Sequence, residues 1–361
     1  MELYYYTNVE TMSYILQNAN IYATNLGYMN DAEEYANGVR ELREIFNERR
    51  KKELITEEML CKVLEKEITS YSISFSEARD LLSQWSMYAG ESGVSLKMCF
   101  SGMEKYRAYP ESDGSKAKER EDLPDTEEKL SIQKVYYCTK TAMDENEYRK
   151  IADEIWDEAT KRQKYAIQDE EKTEIADIND EYPTLWKRMA PFVKRAEFKA
   201  EAEYRLVFNM AEWEKVFRID YRNSRNVLKP FLDIECAGGW PIHEIVVGPG
   251  FNQNVVFQSI LHFLNHARIK VPKLSGPHYR ERCEEYFRLC GDMPEEHKKI
   301  WDKCKSCFED NTINHYSLFM DIRSDMVKMT EEKSGFKEQL LRRELTRTGI
   351  ILSRSRIPYI F

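Results

Sequence analysis

Short segments of alternating apolar and polar residues recur in the first hundred residues, and each predicts a β-strand. The predicted strands of this part are residues 2–7, 21–24, 70–76 and 93–100. Between the first two strands, Thr7 or Asn8 is suited to cap a helix that carries Ile15 and Leu16 on its apolar face. The chain therefore begins with a strand, a helix and a second strand.

Charged stretches with helical spacing follow and interrupt the remaining strands. Residues 32–68 predict a charged helix, and residues 142–190 predict a long one with Ile151 and Trp156 on its apolar face. Residues 278–347 are again helical and charged. The later predicted strands are residues 132–139, 203–210, 217–221, 231–235 and 243–250.

This order of elements predicts an α+β protein with a split, mostly antiparallel sheet and two charged helical insertions. We expect one core domain over residues 1–272, interrupted by the first insertion at about 142–190. The second insertion, or helical subdomain, covers residues 273–347, and residues 348–361 return to the core as a C-terminal strand.

Composition narrows the functional classes. The 361-residue chain has 42% hydrophobic residues, enough for a core, and 32% charged residues, which fit solvated helices. Its net charge of −9 argues against nonspecific nucleic-acid binding, which needs a cationic surface. A basic run near the end leaves a local phosphate contact open, although we favour a solvated helix face paired with the chain's own acids. That run consists of Lys337, Arg342, Arg343, Arg347, Arg354 and Arg356.

Hydropathy and the distribution of cysteines indicate in which cellular compartment the protein works. No apolar run approaches the roughly 20 residues that span a bilayer, so we expect no membrane partner and a cytoplasmic location. The cysteines are scattered, which indicates reduced thiols. Cys283, Cys290, Cys304 and Cys307 form the only cluster, but their spacing is unusual for zinc and suits helical packing. We therefore expect no metal.

Polar side chains gather on the first strand and on the turn after the second. Alternation sends Tyr5 to one face of the sheet and its tyrosine neighbours to the other, where core packing competes with a binding role. Helix capping accounts for Asn30 and Asp31 but leaves Glu34 without a structural task. The candidate binding residues of these segments are Tyr6, Thr7, Thr24, Asn30, Asp31 and Glu34, with Tyr5 beside them.

Two later segments add candidates. In SISFSEARDLLSQWSMYAG, Ser76 ends a strand, and Trp85 and Tyr88 lie three residues apart, a spacing more typical of core packing than of a cofactor site. The segment FKAEAEYRLVF places three charges on one strand face, namely Glu201, Glu203 and Arg205. A carboxylate there suits hydrogen bonding to a ribose or stabilisation of an oxocarbenium ion.

Together these segments resemble a bacterial family, the domain-of-unknown-function family 2971. The resemblance covers roughly the first hundred residues and the segment 197–260, including the turn IVVGPG. One departure is Tyr5, which stands where many members have histidine. The matching residues are Leu3 to Thr7, Ala23, Thr24, Asn30, Asp31, Glu34, Phe75, Ser76, Trp85, Tyr88, Gly93, Glu201, Glu203 and Arg205.

The layout of that family is similar to that of ADP-ribosyltransferases, and this likeness implies NAD as a substrate. It implies that Tyr5 and Thr7 face NAD, that Tyr88 stacks, and that Glu203 is catalytic with Glu201 completing an E-x-E pair. A tyrosine hydroxyl in place of histidine still offers a hydrogen bond. The implied activity is that of an ADP-ribosyltransferase or NAD glycohydrolase, acting on a protein or nucleic-acid target as an effector in bacterial defence.

A noncatalytic sensor is the competing hypothesis. In that case the same residues bind a nucleotide or a phage component, and the helical insertions pass the signal to a partner. A nuclease is less favoured, because no group of metal-binding carboxylates with a lysine stands out in the sequence.

Overall fold

The protein belongs to the α+β class, and its strands pair in a mostly antiparallel, mixed arrangement. Among the residues described below, no helix combines the length and the apolar character needed to cross a membrane. The computed structural model describes residues 1–29, 33–50, 61, 64, 68–89, 93–111, 119–123, 132–138, 190–210, 216–224, 226–290, 295–310, 312–333 and 343–357.

Fifteen strands are formed by these residues. In chain order they are β1 (Glu2–Asn8), β2 (Asn20–Asn25), β3 (Ser70–Ser76), β4 (Gly93–Cys99), β5 (Tyr106–Ala108), β6 (Glu121–Asp122), β7 (Ile132–Lys134), β8 (Tyr136–Cys138), β9 (Val193–Arg195), β10 (Glu203–Asn209), β11 (Asp220–Ser224), β12 (Val227–Cys236), β13 (Ile242–Val247), β14 (Glu344–Leu345) and β15 (Ile351–Arg354).

The longer helices are α1 (Val9–Asn18), α2 (Glu34–Arg50), α3 (Gln253–His266), α4 (Gly276–Cys290), α5 (Glu295–Cys304) and α6 (His315–Lys333). Shorter turns join them. Two of these turns matter for the candidate residues: a helical turn at Leu82–Gln84 continues as a π-helix at Trp85–Ala89, and a 3-10 turn spans Ala196–Glu201.

The chain divides into two compact units, each made of discontinuous segments. Unit 1 comprises residues 1–20, 76–105 and 235–361, and unit 2 comprises residues 21–75 and 106–234. The described residues do not test the boundaries expected from the sequence. The predicted insertion at 142–190 lies outside them except for its last residue.

Unit 1 is built on β1, which pairs antiparallel with β4, and β4 pairs antiparallel with β13. β15 then pairs with β13 in parallel and with β14 antiparallel. Strand β4 lies between β1 and β13, and its residues Val94, Leu96 and Met98, which share one face of the sheet, are all buried.

Helices α4, α5 and α6 of unit 1 bury a second hydrophobic core. It combines aromatic and aliphatic side chains from these helices with two from β14 and β15. The buried residues of this core are Cys283, Tyr286, Trp301, Phe308, Phe319, Ile322, Leu345 and Ile351. The helical character predicted for residues 278–347 is observed in α4, α5 and α6, but Glu344–Leu345 form the strand β14, because they pair with β15.

Unit 2 contains the strand order β3-β2-β12-β5-β6, with β10 pairing with β3 and β7, and β11 pairing with β12. Strands β8 and β9 form a separate parallel pair. Helix α2 packs against β9 and the short turn at Ala190–Phe192. Gly38 makes this close packing possible, since a Cβ there would lie 2.6 Å from the carbonyl oxygen of Ala190.

Several predicted boundaries need correction. The strands predicted at 217–221 and 231–235 are observed at Asp220–Ser224 and Val227–Cys236, because the two form one hairpin and each extends to satisfy the other's backbone groups. The helix predicted over 32–68 is observed as α2, and most residues after its end lie outside the described ranges.

Candidate functional site

Arg205 is the centre of a buried group of charged side chains in unit 2. It lies on β10 and is 1% exposed. Its Nε donates to Oε1 of Glu203 at 2.7 Å, and its Nη2 donates to Oε2 of the same carboxylate at 2.9 Å. Nη1 donates to the carbonyl oxygen of Pro191 at 2.6 Å, and Nη2 also binds Glu34. The planar guanidinium thus grips Glu203 with two hydrogen bonds and joins it to α2.

Lys194 is the second cation of this group, which we call the E-x-E cluster: Glu34, Lys194, Glu201, Glu203 and Arg205. Its Nζ lies 2.7 Å from Oε2 of Glu201, 3.1 Å from Oε2 of Glu203 and 3.6 Å from Oε2 of Glu34. One ammonium group therefore bridges all three carboxylates. The cluster holds three acids and two bases, a formal charge of −1.

Local backbone geometry brings the two glutamates of the E-x-E pair together. Glu201 ends the 3-10 turn, and Ala202 adopts a left-handed conformation with φ of 45°. This residue reverses the chain direction, so that Glu203 begins β10 directly after it. The sequence-based expectation that Glu201 shares a strand face with Glu203 is wrong, because Glu201 precedes the strand. The left-handed residue, rather than strand alternation, aims both carboxylates at Lys194.

The environment separates the pKa values of these two carboxylates. Burial alone would raise the pKa of Glu203, but Arg205 and Lys194 outweigh it and lower the pKa to about 2. For Glu201, burial raises the pKa above its ordinary value, and Lys194 offsets only part of that effect. Burial works against the charge of Lys194 as well, yet the neighbouring Glu203 and Glu34 raise its pKa. One acid of the pair is thus held ionised while the other takes up a proton more readily.

Thr24 belongs to unit 2 and lies opposite Ser72 in the pairing of β2 with β3. Its hydroxyl accepts a hydrogen bond of 2.9 Å from Nη2 of Arg222. Ser72 is 3% exposed, and its hydroxyl has no hydrogen-bond partner within the described part of the chain. Asn30 and Asp31 lie outside the described residues.

Tyr6 and Trp85 belong to unit 1, where they pack in its core. The Tyr6 hydroxyl donates to the carbonyl oxygen of Ala78 at 2.6 Å and accepts from the backbone N–H of Leu81 at 3.1 Å. Its ring meets that of Trp85 edge-on at 4.8 Å, and Trp85 donates through its indole N–H to Asp80 at 2.7 Å. These contacts tie the turn after β3 to β1, which is a structural task.

The other unit 1 candidates differ in exposure. Tyr5 pairs with Leu96 and is partly buried, and Thr7 pairs with Val94 and is 7% exposed. Ser76 ends β3 as predicted, and its hydroxyl accepts from the N–H of Ala78 at 3.1 Å. Tyr88 is 37% exposed, whereas Trp85 is buried. Core packing, which the three-residue spacing favours, is therefore observed for Trp85 but not for the more exposed Tyr88 of the same π-helix.

The structure therefore brings together four of the predicted residues, Glu34, Glu201, Glu203 and Arg205, in a single cluster. Comparison with known proteins found no matching family, no matching curated protein and no matching solved structure. The chemistry of the cluster must accordingly be argued from its own geometry. Two carboxylates with separated pKa values offer one group that stays ionised and one that accepts a proton more readily, while the neighbouring Arg205 and Lys194 oppose a developing positive charge.

Lys194 is the functional candidate that sequence reasoning missed. A weak signal was available: the lysine follows the apolar run Pro191–Val193 and is only seven residues from Glu201. A lysine that is 5% exposed requires a carboxylate partner, but the pattern VKR reads equally well as a surface strand. Its partners come from α2 and from the segment after a 3-10 turn, which no spacing rule in the sequence foretells.

The clustered cysteines were weighed as a zinc site. Cys283 is buried in the core of the three unit 1 helices, and Cys304 packs against that core. The side chain of Cys290 lies outside the described residues. Within the described ranges, no group of three or more histidine, cysteine or acidic side chains is arranged to hold a metal ion.

Proposed function

We propose that the protein binds a nucleotide and cleaves NAD at the bond between nicotinamide and ribose, as an NAD glycohydrolase or an ADP-ribosyltransferase. The observation that supports this proposal is the separation of the two pKa values in the E-x-E cluster. Arg205 and Lys194 lower the pKa of Glu203, whereas burial raises the pKa of Glu201 above its ordinary value.

Cleavage of the nicotinamide–ribose bond produces positive charge on the ribose, and an ionised carboxylate of the E-x-E cluster would stabilise it. Nicotinamide leaves with the electron pair of the glycosidic bond and is neutral once it departs, so it needs no proton. The ribose carbon that loses it becomes positively charged and resembles an oxocarbenium ion. Glu203, ionised and 5% exposed, would stabilise that charge with little screening by water, and Arg205 and Lys194, which hold Glu203, would offset part of this effect.

Glu201 would serve the second half of the reaction. A nucleophile, either water or a hydroxyl or amine of a target molecule, forms the new bond to the ribose carbon and loses a proton. Glu201 in its ionised form accepts that proton, and its raised pKa makes it a better base than an ordinary glutamate. Lys194 positions this carboxylate through the 2.7 Å contact to its Oε2.

A noncatalytic sensor remains the second candidate, and one observation favours it. Both oxygens of Glu203 already accept hydrogen bonds from Arg205, which is the arrangement of a structural ion pair. In that case the unpartnered Ser72 hydroxyl and its neighbours bind a nucleotide, and the E-x-E cluster only holds the unit together. The role in bacterial defence and the target molecule belong to the same proposal and rest on the family resemblance.

Purified protein incubated with NAD, with released nicotinamide and bound NAD both quantified, tests the proposal. We expect release by the natural chain and a loss of about 10²- to 10³-fold in Glu203→Gln. Glu197→Gln is the matched control, because Glu197 lies exposed on the 3-10 turn that precedes β10. Release that survives in Glu203→Gln would remove this residue from the mechanism, and NAD binding without release by the natural chain would favour the sensor.

A further inference from the structure

Arg282, on α4 of unit 1, is a buried cation with almost no hydrogen-bond partners. It is 5% exposed. Its Nη2 donates one long hydrogen bond, of 3.3 Å, to the carbonyl oxygen of Ile242, and its Nη1 has no partner among the described residues. A guanidinium group carries five N–H donors, and burying them unsatisfied is costly. This contrasts with Arg205, which uses every side of its guanidinium group.

The carboxylates near Arg282 are committed to another cation. Oε1 of Glu285 binds Nζ of Lys97, and Oε2 of Glu285 lies 3.7 Å from Nδ1 of His243. Glu2 also lies 3.1 Å from Nζ of Lys97. Two acids thus neutralise Lys97, and burial lowers the pKa of His243. Glu285 and Glu281 attract Arg282 electrostatically, but its only hydrogen bond given among the described residues is the one to the Ile242 carbonyl oxygen.

Burial also changes the pKa of Arg282. Desolvation lowers its pKa to about 10, against the smaller opposing effects of Cys99 and Glu285. The guanidinium group is thus buried with Nη1 unpartnered and Nη2 holding only the long bond to Ile242, so it retains donor capacity for an anion.

We propose that Arg282 is the anchor of an oxyanion site that binds a carboxylate or phosphate group of a small ligand. The planar guanidinium fork matches two oxygens of such a group, and a single positive charge is available to balance it. The site lies in unit 1 and is independent of the E-x-E cluster and of the proposed NAD chemistry. Its ligand is defined by the oxyanion alone.

Thermal unfolding of the whole chain in the presence of simple anions tests this site. The probes are sodium acetate and sodium phosphate, each compared with sodium chloride at equal ionic strength. We expect at least one of them to raise the unfolding midpoint by a few degrees in a saturable way, because it binds only the folded state. A larger effect of acetate identifies a carboxylate ligand, and a larger effect of phosphate identifies a phosphate ligand.

Three variants sharpen the result. Arg282→Met is expected to abolish the anion effect and, in chloride alone, to melt no lower than the natural chain, because it removes an unpaired buried charge. Arg282→Lys keeps a charge without the fork and is expected to retain less than half of the shift. The control is Arg280→Met. Arg280 lies two residues before Arg282, is partly exposed and pairs with Glu284 and Glu309, so its loss is expected to leave the anion effect intact.

Three outcomes would overturn the oxyanion site. One is an equal response of the natural chain and Arg282→Met, which would mark a general salt effect. Another is the absence of any response to either probe in the natural chain. The third is a large drop in the melting midpoint of Arg282→Met in chloride, which would show that Arg282 already has a stabilising partner.

Discussion

At the scale of single residues, the buried charges of unit 2 depend on Arg205. Moving ions from water into a protein interior is costly, and only dense hydrogen bonding repays that cost. Arg205 supplies it through bonds to Glu203, Glu34 and the Pro191 carbonyl oxygen. Removing one member of such a network leaves its partners charged and buried. This lowers the free energy of unfolding more than replacing the whole network does.

Replacement of Arg205 by methionine is therefore expected to be strongly destabilising. We expect a loss of about 3 to 5 kcal/mol in the free energy of unfolding, since Glu203 would lose its bidentate partner. Urea denaturation followed by circular dichroism measures this. The matched control is Arg218→Met, because Arg218 forms a half-exposed pair with Asp220 at 2.8 Å, worth at most about 1 kcal/mol. A loss no larger than the control's would contradict the central position of Arg205.

The lowered pKa of Glu285 in unit 1 predicts how the stability of the fold depends on pH. Burial opposes its charge, but His243 and Lys97 outweigh it and lower its pKa to about 2. A carboxyl whose folded pKa is depressed stabilises the fold at pH values above its ordinary pKa. That stabilisation is lost as the pH falls from about 4.5 to about 2. Unfolding curves over this range are expected to be less pH-dependent for Glu285→Gln than for the natural chain, and an identical dependence would exclude the assigned pKa.

At the scale of the element, helix α1 has the N-cap and the buried apolar face that its sequence predicts. Asn8 ends β1 and its side-chain oxygen accepts a 2.8 Å hydrogen bond from the N–H of Thr11. Met12, Ile15 and Leu16 form the buried face. At the other end, Ala19 has φ of 64° and donates its N–H to the carbonyl oxygen of Ile15.

Asn8→Ala is expected to cost about 1 kcal/mol in the free energy of unfolding, because the first turn of α1 loses its capping acceptor. Asn8→Asp keeps an acceptor and adds a negative charge at the helix N-terminus, so it is expected to be neutral or stabilising. Thermal unfolding of the two variants checks the sign. A destabilised Asn8→Asp together with an unchanged Asn8→Ala would refute the capping role.

Local features of the fold are predictable from the sequence, whereas features that depend on tertiary packing are not. The strand at 70–76, the cap at Asn8 and the apolar face with Ile15 and Leu16 follow from local periodicity and are confirmed. Glu201 was misassigned because the left-handed Ala202 is a non-glycine residue, which no turn rule foretells. The meeting of Glu34 with Arg205 depends on tertiary packing of α2, and periodicity contains no information about it.

At the scale of the whole molecule, the chain distributes its two unusual features between two units. Unit 2 contains the E-x-E cluster, in which every charge has a partner, and unit 1 contains Arg282, whose charge has almost none. Neither the E-x-E cluster nor the buried Arg282 can be inferred from the overall charge of −9. The predicted α+β class is confirmed, and the likeness of the sheet to that of ADP-ribosyltransferases stays a prediction.

The pH dependence of nicotinamide release, measured for the natural chain and for Glu201→Gln, tests the account most directly. Because the pKa of Glu203 is lowered to about 2 and that of Glu201 is raised, Glu201 is the member of the pair expected to titrate within the accessible range. We predict that release by the natural chain falls as the pH drops below the raised pKa of Glu201. In Glu201→Gln that decline should vanish, with a rate about 10²- to 10⁴-fold lower. An unchanged rate and decline in Glu201→Gln, or no release from the natural chain at any pH, would contradict the account.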